Sequence, residues 1–425
     1  MSNLRNVSAL ALIASIGAHA AVAQDDNMFT RDRVVGAGER YQPEYSPEPM
    51  RVGAFLLRPQ IQVALENNSN VYATPDNEES DFIARLSPSL DVTTDWSRHQ
   101  VSANLTAGHS EYADLTNESR AEGRARLRGR LDVTKDLNFG VSGEALRKVE
   151  ARGETGAVRG VVEPGEVSTI SGGTFAEFRR DRVEASVNVT VADIDFKDLK
   201  VEADSPIDPD RDFRDNLKTN YIARAAYAIS PDVSVYMRGE YQTRDHDAVT
   251  IDGESLDTSL WKAQAGVSFQ LPNLIRGDVA LGYLSEDADS DAFADKEKFA
   301  YDAELQWLPT ELTTVTVSAA SFMQELGTIQ TPSALVNEVN LRVDHELRRN
   351  IILFGRTQFR DEEFEDDVQQ IDFSQSYTQF GIGASYKMNK RAHFEVAIDR
   401  RERDSFVADG DFSQNIISAG FKLYP

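Results

Sequence analysis

Along residues 121–133, small or apolar side chains (Ala121, Gly123, Ala125, Leu127, Gly129, Leu131, Val133) alternate strictly with charged ones (Glu122, Arg124, Arg126, Arg128, Arg130, Asp132). Successive side chains of a strand point to opposite faces, so this segment has one apolar face and one fully charged face. Wound as a helix, the same residues would leave no apolar stripe. The segment reads as a strand. Comparable alternation recurs over 61–65, 82–92, 101–107, 137–145, 170–178, 183–191, 217–229, 233–241 and 261–269. It continues over 275–283, 299–307, 315–319, 335–347, 351–359, 378–388, 392–398 and 417–423, giving eighteen candidate strands in all.

The connections alternate as well. Short turns at 134–136, 180–181, 230–232, 272–273, 309–311, 348–350 and 388–390 take turns with longer, acidic stretches at 149–166, 197–215, 246–257, 286–297 and 361–372. Short turns on one side and long loops on the other are the pattern of a transmembrane β-barrel. A soluble β-sandwich also alternates, but over this many strands it curls or splits into domains. No Pro/Gly-rich linker divides the chain, and aromatics (Phe82, Tyr112, Trp261, Tyr283, Trp307, Tyr386) gather near strand ends, where membrane interfaces place them. The expected fold is therefore all-β: a transmembrane antiparallel up-and-down barrel of about 18 strands, wide enough for a water-filled lumen.

The first residues do not fit that pattern. Arg5 precedes an apolar run over 7–16 and the small-residue site Ala21-Val22-Ala23, the layout of a cleaved secretory signal peptide. Residues 1–23 are assigned to it, 24–56 to a flexible polar N-terminal arm, and 57–425 to the barrel. The arm holds Pro43, Pro47 and Pro49 and shows no apolar period, so it has little to offset its chain entropy. Composition narrows the classes further. The 425 residues carry 45 Lys plus Arg against 70 Asp plus Glu, a net charge of −25, and no Cys. Such acidity argues against a nucleic-acid partner. Absence of Cys removes disulfides, thiolate metal sites and cysteine nucleophiles.

Leu57-Arg58-Pro59, Asn67-Asn68-Ser69-Asn70-Val71-Tyr72, Asp81-Phe82, Pro88-Ser89-Leu90 and Asp95-Trp96-Ser97-Arg98-His99 resemble the opening of the putative β-barrel porin 2 family. The resemblance is sharp over 57–112 and extends over 55–425 as a barrel pattern. It implies an outer-membrane barrel found with exopolysaccharide secretion, and it brings no catalytic residue with it. The final residues, Gly420-Phe421-Lys422-Leu423-Tyr424-Pro425, resemble the outer-membrane assembly signal in part, ending on Pro where an aromatic is usual.

Chemistry was sought in the remaining motifs. His109 and Ser110 are adjacent, but neighbours on a strand face opposite sides and cannot share a proton. No nucleophile elbow, P-loop or His-Glu-x-x-His occurs. Asp287, Asp289 and Asp291 copy the first ligands of a calcium loop, yet Ala292 and Lys298 stand where Gly and Glu are required. No catalytic residue, metal site or cofactor is assigned. The distinctive feature is the ladder Arg124, Arg126, Arg128, Arg130, a basic stripe on the lumen face, where rows of charge set selectivity. Its charge is either open to the lumen or met by an inward-folded loop; Glu144, Glu122 and Asp132 are the nearby carboxylates. The expected function is an outer-membrane channel for a secreted, acidic exopolysaccharide. The alternatives are a general or anion-selective porin for small solutes and a barrel enzyme. Expected partners are polysaccharide, lipopolysaccharide with outer-membrane lipid, and periplasmic export machinery reached through the arm.

Overall fold

The computed structural model describes residues 35–425 apart from Glu39, Ile251, 272–274, 327–330, 367–370 and Ala408. The expected signal peptide and the first part of the arm lie outside the described residues. The chain runs through β1 (Met50–Val52), β2 (Phe55–Asn68), β3 (Asp81–Thr94), β4 (Gln100–Tyr112), β5 (Arg120–Asp132) and β6 (Leu137–Val149). It continues through β7 (Glu166–Arg180), β8 (Val183–Phe196), β9 (Asn216–Ser230), β10 (Val233–His246), β11 (Thr258–Leu271) and β12 (Ile275–Ala288). The last elements are β13 (Lys296–Thr310), β14 (Thr313–Glu325), β15 (Ser333–Arg348), β16 (Ile351–Asp366), β17 (Ile371–Asn389), β18 (Ala392–Asp404) and β19 (Phe412–Leu423).

Every strand from β2 to β19 pairs antiparallel with its sequence neighbour, and β19 closes on β2 through Ile416↔Asn68 to Leu423↔Ile61. The result is a closed barrel of eighteen strands, each of the eighteen matching one alternating segment. Closure leaves no open edge, the condition for a sheet in lipid. The short β1 was not expected. It pairs with Phe55–Leu57 at the foot of β2, beyond the point where β19 ends, and so continues the ladder there. The expected loop at 361–372 is mostly strand, since β16 runs to Asp366 and β17 starts at Ile371. Its acidic residues had masked the strand pattern.

Burial is the inverse of a soluble protein. On β11, Lys262, Gln264, Ser268 and Gln270 are buried, whereas Trp261 is 58 % and Leu271 44 % exposed. The polar face looks into the lumen and the apolar face outward, as a lipid-facing wall requires. Exposed aromatics ring both ends. Tyr221, Tyr241 and Trp261 stack in sequence on one end, with Tyr283 and Phe299 beside them. Phe178, Trp307, Tyr386 and Phe421 mark the other. Phe299 and Trp307 lie about 27 Å apart along β13 at roughly 3.4 Å per residue, about 20 Å after a tilt of 35–45°.

One rim carries the tight turns at 181–182, 231–232, 311–312, 349–350 and 390–391. Asp181 takes positive φ (54°) in its turn, which Asp tolerates better than most residues. The opposite rim carries the connections 69–80, 150–165, 197–215 and 247–257. On the short-turn rim His99, also at positive φ (64°), accepts at Nδ1 from the Asp132 amide at 3.0 Å. Its own amide donates to Asp132 Oδ2 at 2.9 Å. This histidine braces two turns.

The described part of the arm is laid along the inner wall at this same rim. The Ala37 amide donates to Thr314 Oγ1 at 2.8 Å, and Arg40 reaches the Glu311 carbonyl and, at 3.6 Å, Glu346. His393 Nε2 meets the Tyr45 carbonyl at 3.0 Å, and Lys390 pairs with Glu48. A polar segment that cannot build a core finds its partners on the polar lumen face. The topology predicts that single Cys residues at Asp208 or Asp289 are labelled by an impermeant maleimide on intact cells. Cys at Asp232 or Asn389 should be labelled only after the outer membrane is permeabilised; equal labelling of both pairs on intact cells would contradict the assignment of rims.

Candidate functional site

The lumen is narrowed by the connection between β6 and β7. Residues 150–165 hold Arg152, Arg159 and glycines 153, 156, 160 and 165. This connection, one of the longer stretches in the sequence pattern, folds inward. At its start, Arg152 grips Glu118 through Nε at 3.1 and 3.0 Å to the two carboxylate oxygens, and both side chains are nearly buried. The far side is fixed to strands well round the ring. Thr155 Oγ1 donates to Glu362 and lies 2.9 Å from the Tyr377 hydroxyl. The Gly153 carbonyl accepts from Tyr377 at 3.0 Å and from Arg403 at 3.1 Å. A Cβ on Gly153 would come within 2.6 Å of the Phe412 ring, so the absence of a side chain is what lets the loop lie against β19. At Gly156, φ is +85° and a Cβ would meet the Leu326 carbonyl, a position only glycine fits without strain.

Beneath the loop lies a cavity of about 110 Å³. Five arginines line it (Arg85, Arg120, Arg152, Arg360, Arg401) together with Glu66, Glu154, Glu362 and Glu402. The formal charges nearly balance, but the hydrogen-bonding capacities do not. Both oxygens of Glu66 accept from Arg85, at 2.9 and 3.1 Å. Those of Glu362 are taken by Arg360, Gln375 and Thr155. A guanidinium has five N–H donors, so pairing one carboxylate leaves several over. Arg120 Nε has no hydrogen-bond partner among the described residues. The constriction is therefore rich in guanidinium donors.

The arginine ladder is on the lumen wall, with every rung met. Arg126 Nε donates to Glu144 at 2.6 Å, and Arg124 lies 3.5 Å from the same carboxylate. Arg128 reaches Glu177 at 3.4 Å and stacks over Phe175 at 3.8 Å. Arg130 donates to Asp132 at 3.0 Å. The partners are strand residues and not the inward loop. Glu177 escaped the sequence reading because it sits on β7, two strands from the ladder; its register partner Asn138, opposite Asp132, is the link that would have revealed it. These pairs are partly solvated and hold the ladder in place weakly, at about 0–1 kcal/mol each. Four guanidinium groups share three carboxylates, so the stripe still presents more donors than acceptors.

Elsewhere the chemistry is bracing. Ser110 faces inward and accepts from Arg85 at 2.9 Å, whereas His109 points outward to Glu111 at 3.0 Å, the separation their adjacency demanded. His345 meets Thr313 at 3.0 Å on the outward face near the short-turn rim. Among the described residues, one group of carboxylates gathers closely enough for a cation: the exposed Asp198, Asp210 and Asp212 in the β8–β9 connection. Asp210 pushes the Asp212 carboxyl up by repulsion, as expected of a solvated acidic loop. Asp287, Asp289 and Asp291 do not converge.

The family model described as "Putative beta-barrel porin 2" matches residues 42–424. The chain belongs to this family. Among solved structures, the Pseudomonas aeruginosa outer membrane protein OpdK is similar at 9 % identity with a TM-score of 0.46, covering 87 % of this chain and 99 % of its own. A BenF-like porin from Pseudomonas fluorescens Pf-5 shows 10 % identity and a TM-score of 0.47 over 87 % and 99 % of the two chains. Pseudomonas aeruginosa OccK2, solved with glucuronate, gives 10 % and 0.48 over 87 % and 98 %. Comparison with curated proteins finds no match. All three TM-scores are low, so the barrel stands on its own strand register and on the family match. It is a porin-like barrel of the outer-membrane type.

If the β6–β7 loop sets the aperture, freeing it should widen the channel. Arg152→Ala leaves Glu118 buried without its partner, a loss of about 3–5 kcal/mol. Single-channel conductance of the reconstituted variant should rise, with heat-modifiable migration unchanged. Equal conductance in a folded variant would place the narrowest point elsewhere.

Proposed function

We propose that this porin 2 family barrel is a passive, donor-lined channel that favours small anionic solutes. The observation that carries this reading is the loop 150–165, whose Arg152 holds Glu118 on one side of the lumen while Gly153 and Thr155 hold Glu362, Tyr377 and Arg403 on the other. A loop anchored to opposite parts of the wall admits small molecules past its edges. Selectivity would come from donors held in place by their own ion pairs. Such groups stabilise passing negative charge with little reorganisation, and in a narrow, poorly solvated passage they act more strongly than in bulk water. The ladder Arg124, Arg126, Arg128 and Arg130 would extend this preference along the wall. No bond is made or broken in this reading, and catalysis is no part of it.

Export of an acidic exopolysaccharide is the second reading. The family resemblance favours it, as does the continuous polar wall. A polymer strand would require the loop to swing aside, breaking the Arg152–Glu118 pair. In that reading residues 24–49 would reach periplasmic export machinery from the short-turn rim, following cleavage of the signal peptide.

The ladder supplies the test. Rungs on alternate residues lie about 6.6–6.8 Å apart, inside a Debye length of about 10 Å at 0.1 M salt, so they act together. In planar bilayers under a salt gradient, Arg126→Glu/Arg128→Glu should shift the anion-to-cation permeability ratio a few-fold toward cations, and the shift should shrink as salt rises. An unchanged reversal potential would show that the ladder is electrically silent.

A further inference from the structure

Near the long-loop rim two cations face each other on the inner wall with no carboxylate opposite either of them in register. Lys218 of β9 and Arg244 of β10 are direct cross-strand partners. Their remaining neighbours in register are Ala192 of β8 and Thr258 of β11. Along the two strands the next inward residues are Asn216, Asn220, Gln242 and His246. None is a carboxylate. Arg244 is 5 % exposed, and its Nε and Nη1 find no hydrogen-bond partner among the described residues.

The β8–β9 connection holds two more arginines on the same rim. Arg214 packs over the Phe196 ring at 3.9 Å and lies 3.2 Å from Glu150 and 3.7 Å from Glu325. Arg211, 2 % exposed, is paired with Glu150 at 2.7 Å, while its Nε and Nη1 find no hydrogen-bond partner among the described residues. Glu325 is the carboxylate whose field Lys218, His246 and both loop arginines share. Glu240 is occupied by Asn220 at 3.0 Å, and Glu286 stands opposite Lys296 in register. Around Lys218, Arg244, Arg211 and Arg214 stand the carboxylates Glu150, Glu325, Glu240 and Glu286, the last of them opposite a fifth cation, Lys296. Positive charge exceeds negative, and guanidinium N–H groups are left over where water is scarce. Such an arrangement is strongly unfavourable unless an anion completes it.

We propose that Lys218 and Arg244, on the rim that also carries Arg211 and Arg214, form a binding site for a small multivalent oxyanion, such as inorganic phosphate or a solute's phosphate group. A carboxylate is saturated by one guanidinium fork, whereas a tetrahedral group has oxygens left for a second fork and for an ammonium. Opposed residues in a ladder stand roughly 4.5–5.5 Å apart, close enough for Lys218 and Arg244 to share one such group. The site lies on the wall ahead of the constriction and is independent of the selectivity reading given above.

Calorimetric titration of the purified, detergent-solubilised barrel with sodium phosphate at constant ionic strength tests the proposal. Saturable binding is expected, competed by sulfate and not by chloride. Lys218→Gln/Arg244→Gln should weaken it at least about tenfold, the loss of one charge-assisted hydrogen bond, while Lys422→Gln, whose side chain pairs with Glu395 near the opposite rim, should bind as the native barrel does. If the double variant does not give the heat-modifiable folded form, Arg244→Lys keeps the charge, removes the fork and should weaken binding several-fold. No saturable binding to the native barrel would overturn the site, as would unchanged affinity in the folded double variant or in Arg244→Lys.

Discussion

Closure of the hydrogen-bond ladder governs everything else in this molecule. In a hydrocarbon environment an unpaired backbone N–H or C=O costs several kcal/mol, so the sheet must return to its first strand. The β19–β2 seam satisfies that demand through Ile416↔Asn68 to Leu423↔Ile61, and β1 extends it at the foot of β2. Once the ring closes, each strand has one face toward lipid and one toward water. The sequence must then alternate, and the burial pattern inverts: Lys262 is hidden while Trp261 is exposed.

The interior that results is a polar cavity with structure of its own. Because charged side chains there meet one another at short range, they pair: Arg85 with Glu66, Arg356 with Asp399, Arg342 with Asp344, Arg238 with Asp302. Pairing organises the wall and leaves surplus guanidinium donors pointing inward. The same polar surface captures chain that would otherwise be loose. Residues 35–49 settle on the wall at one rim, and residues 150–165 span the lumen toward the other. The interior is therefore shaped by segments that are not part of the barrel as well as by its wall.

Strands and faces were legible in the sequence because their signal is local. The period of two identified all eighteen barrel strands and placed the ladder on the lumen side. Contacts between distant positions were not legible. Thr155 meets Glu362 across 207 residues and Arg403 meets Gly153 across 250, and no periodicity records such a pairing. A clue was nonetheless present: 150–165 carries four glycines, whereas the connections at 197–215 and 286–297 carry none. Glycines that permit close approach mark a loop that packs. Glu177 was missed for a related reason, since the ladder was compared only with adjacent strands.

The central claim is that a tethered loop and surplus arginine donors restrict the lumen to small, preferably anionic, solutes. Solute uptake into proteoliposomes addresses it most directly, using sugar acids, neutral sugars of equal size and a linear acidic polysaccharide in parallel. The account predicts fast entry of the sugar acid, slower entry of its neutral counterpart and exclusion of the polymer. Free passage of the polymer through the unmodified barrel would contradict it.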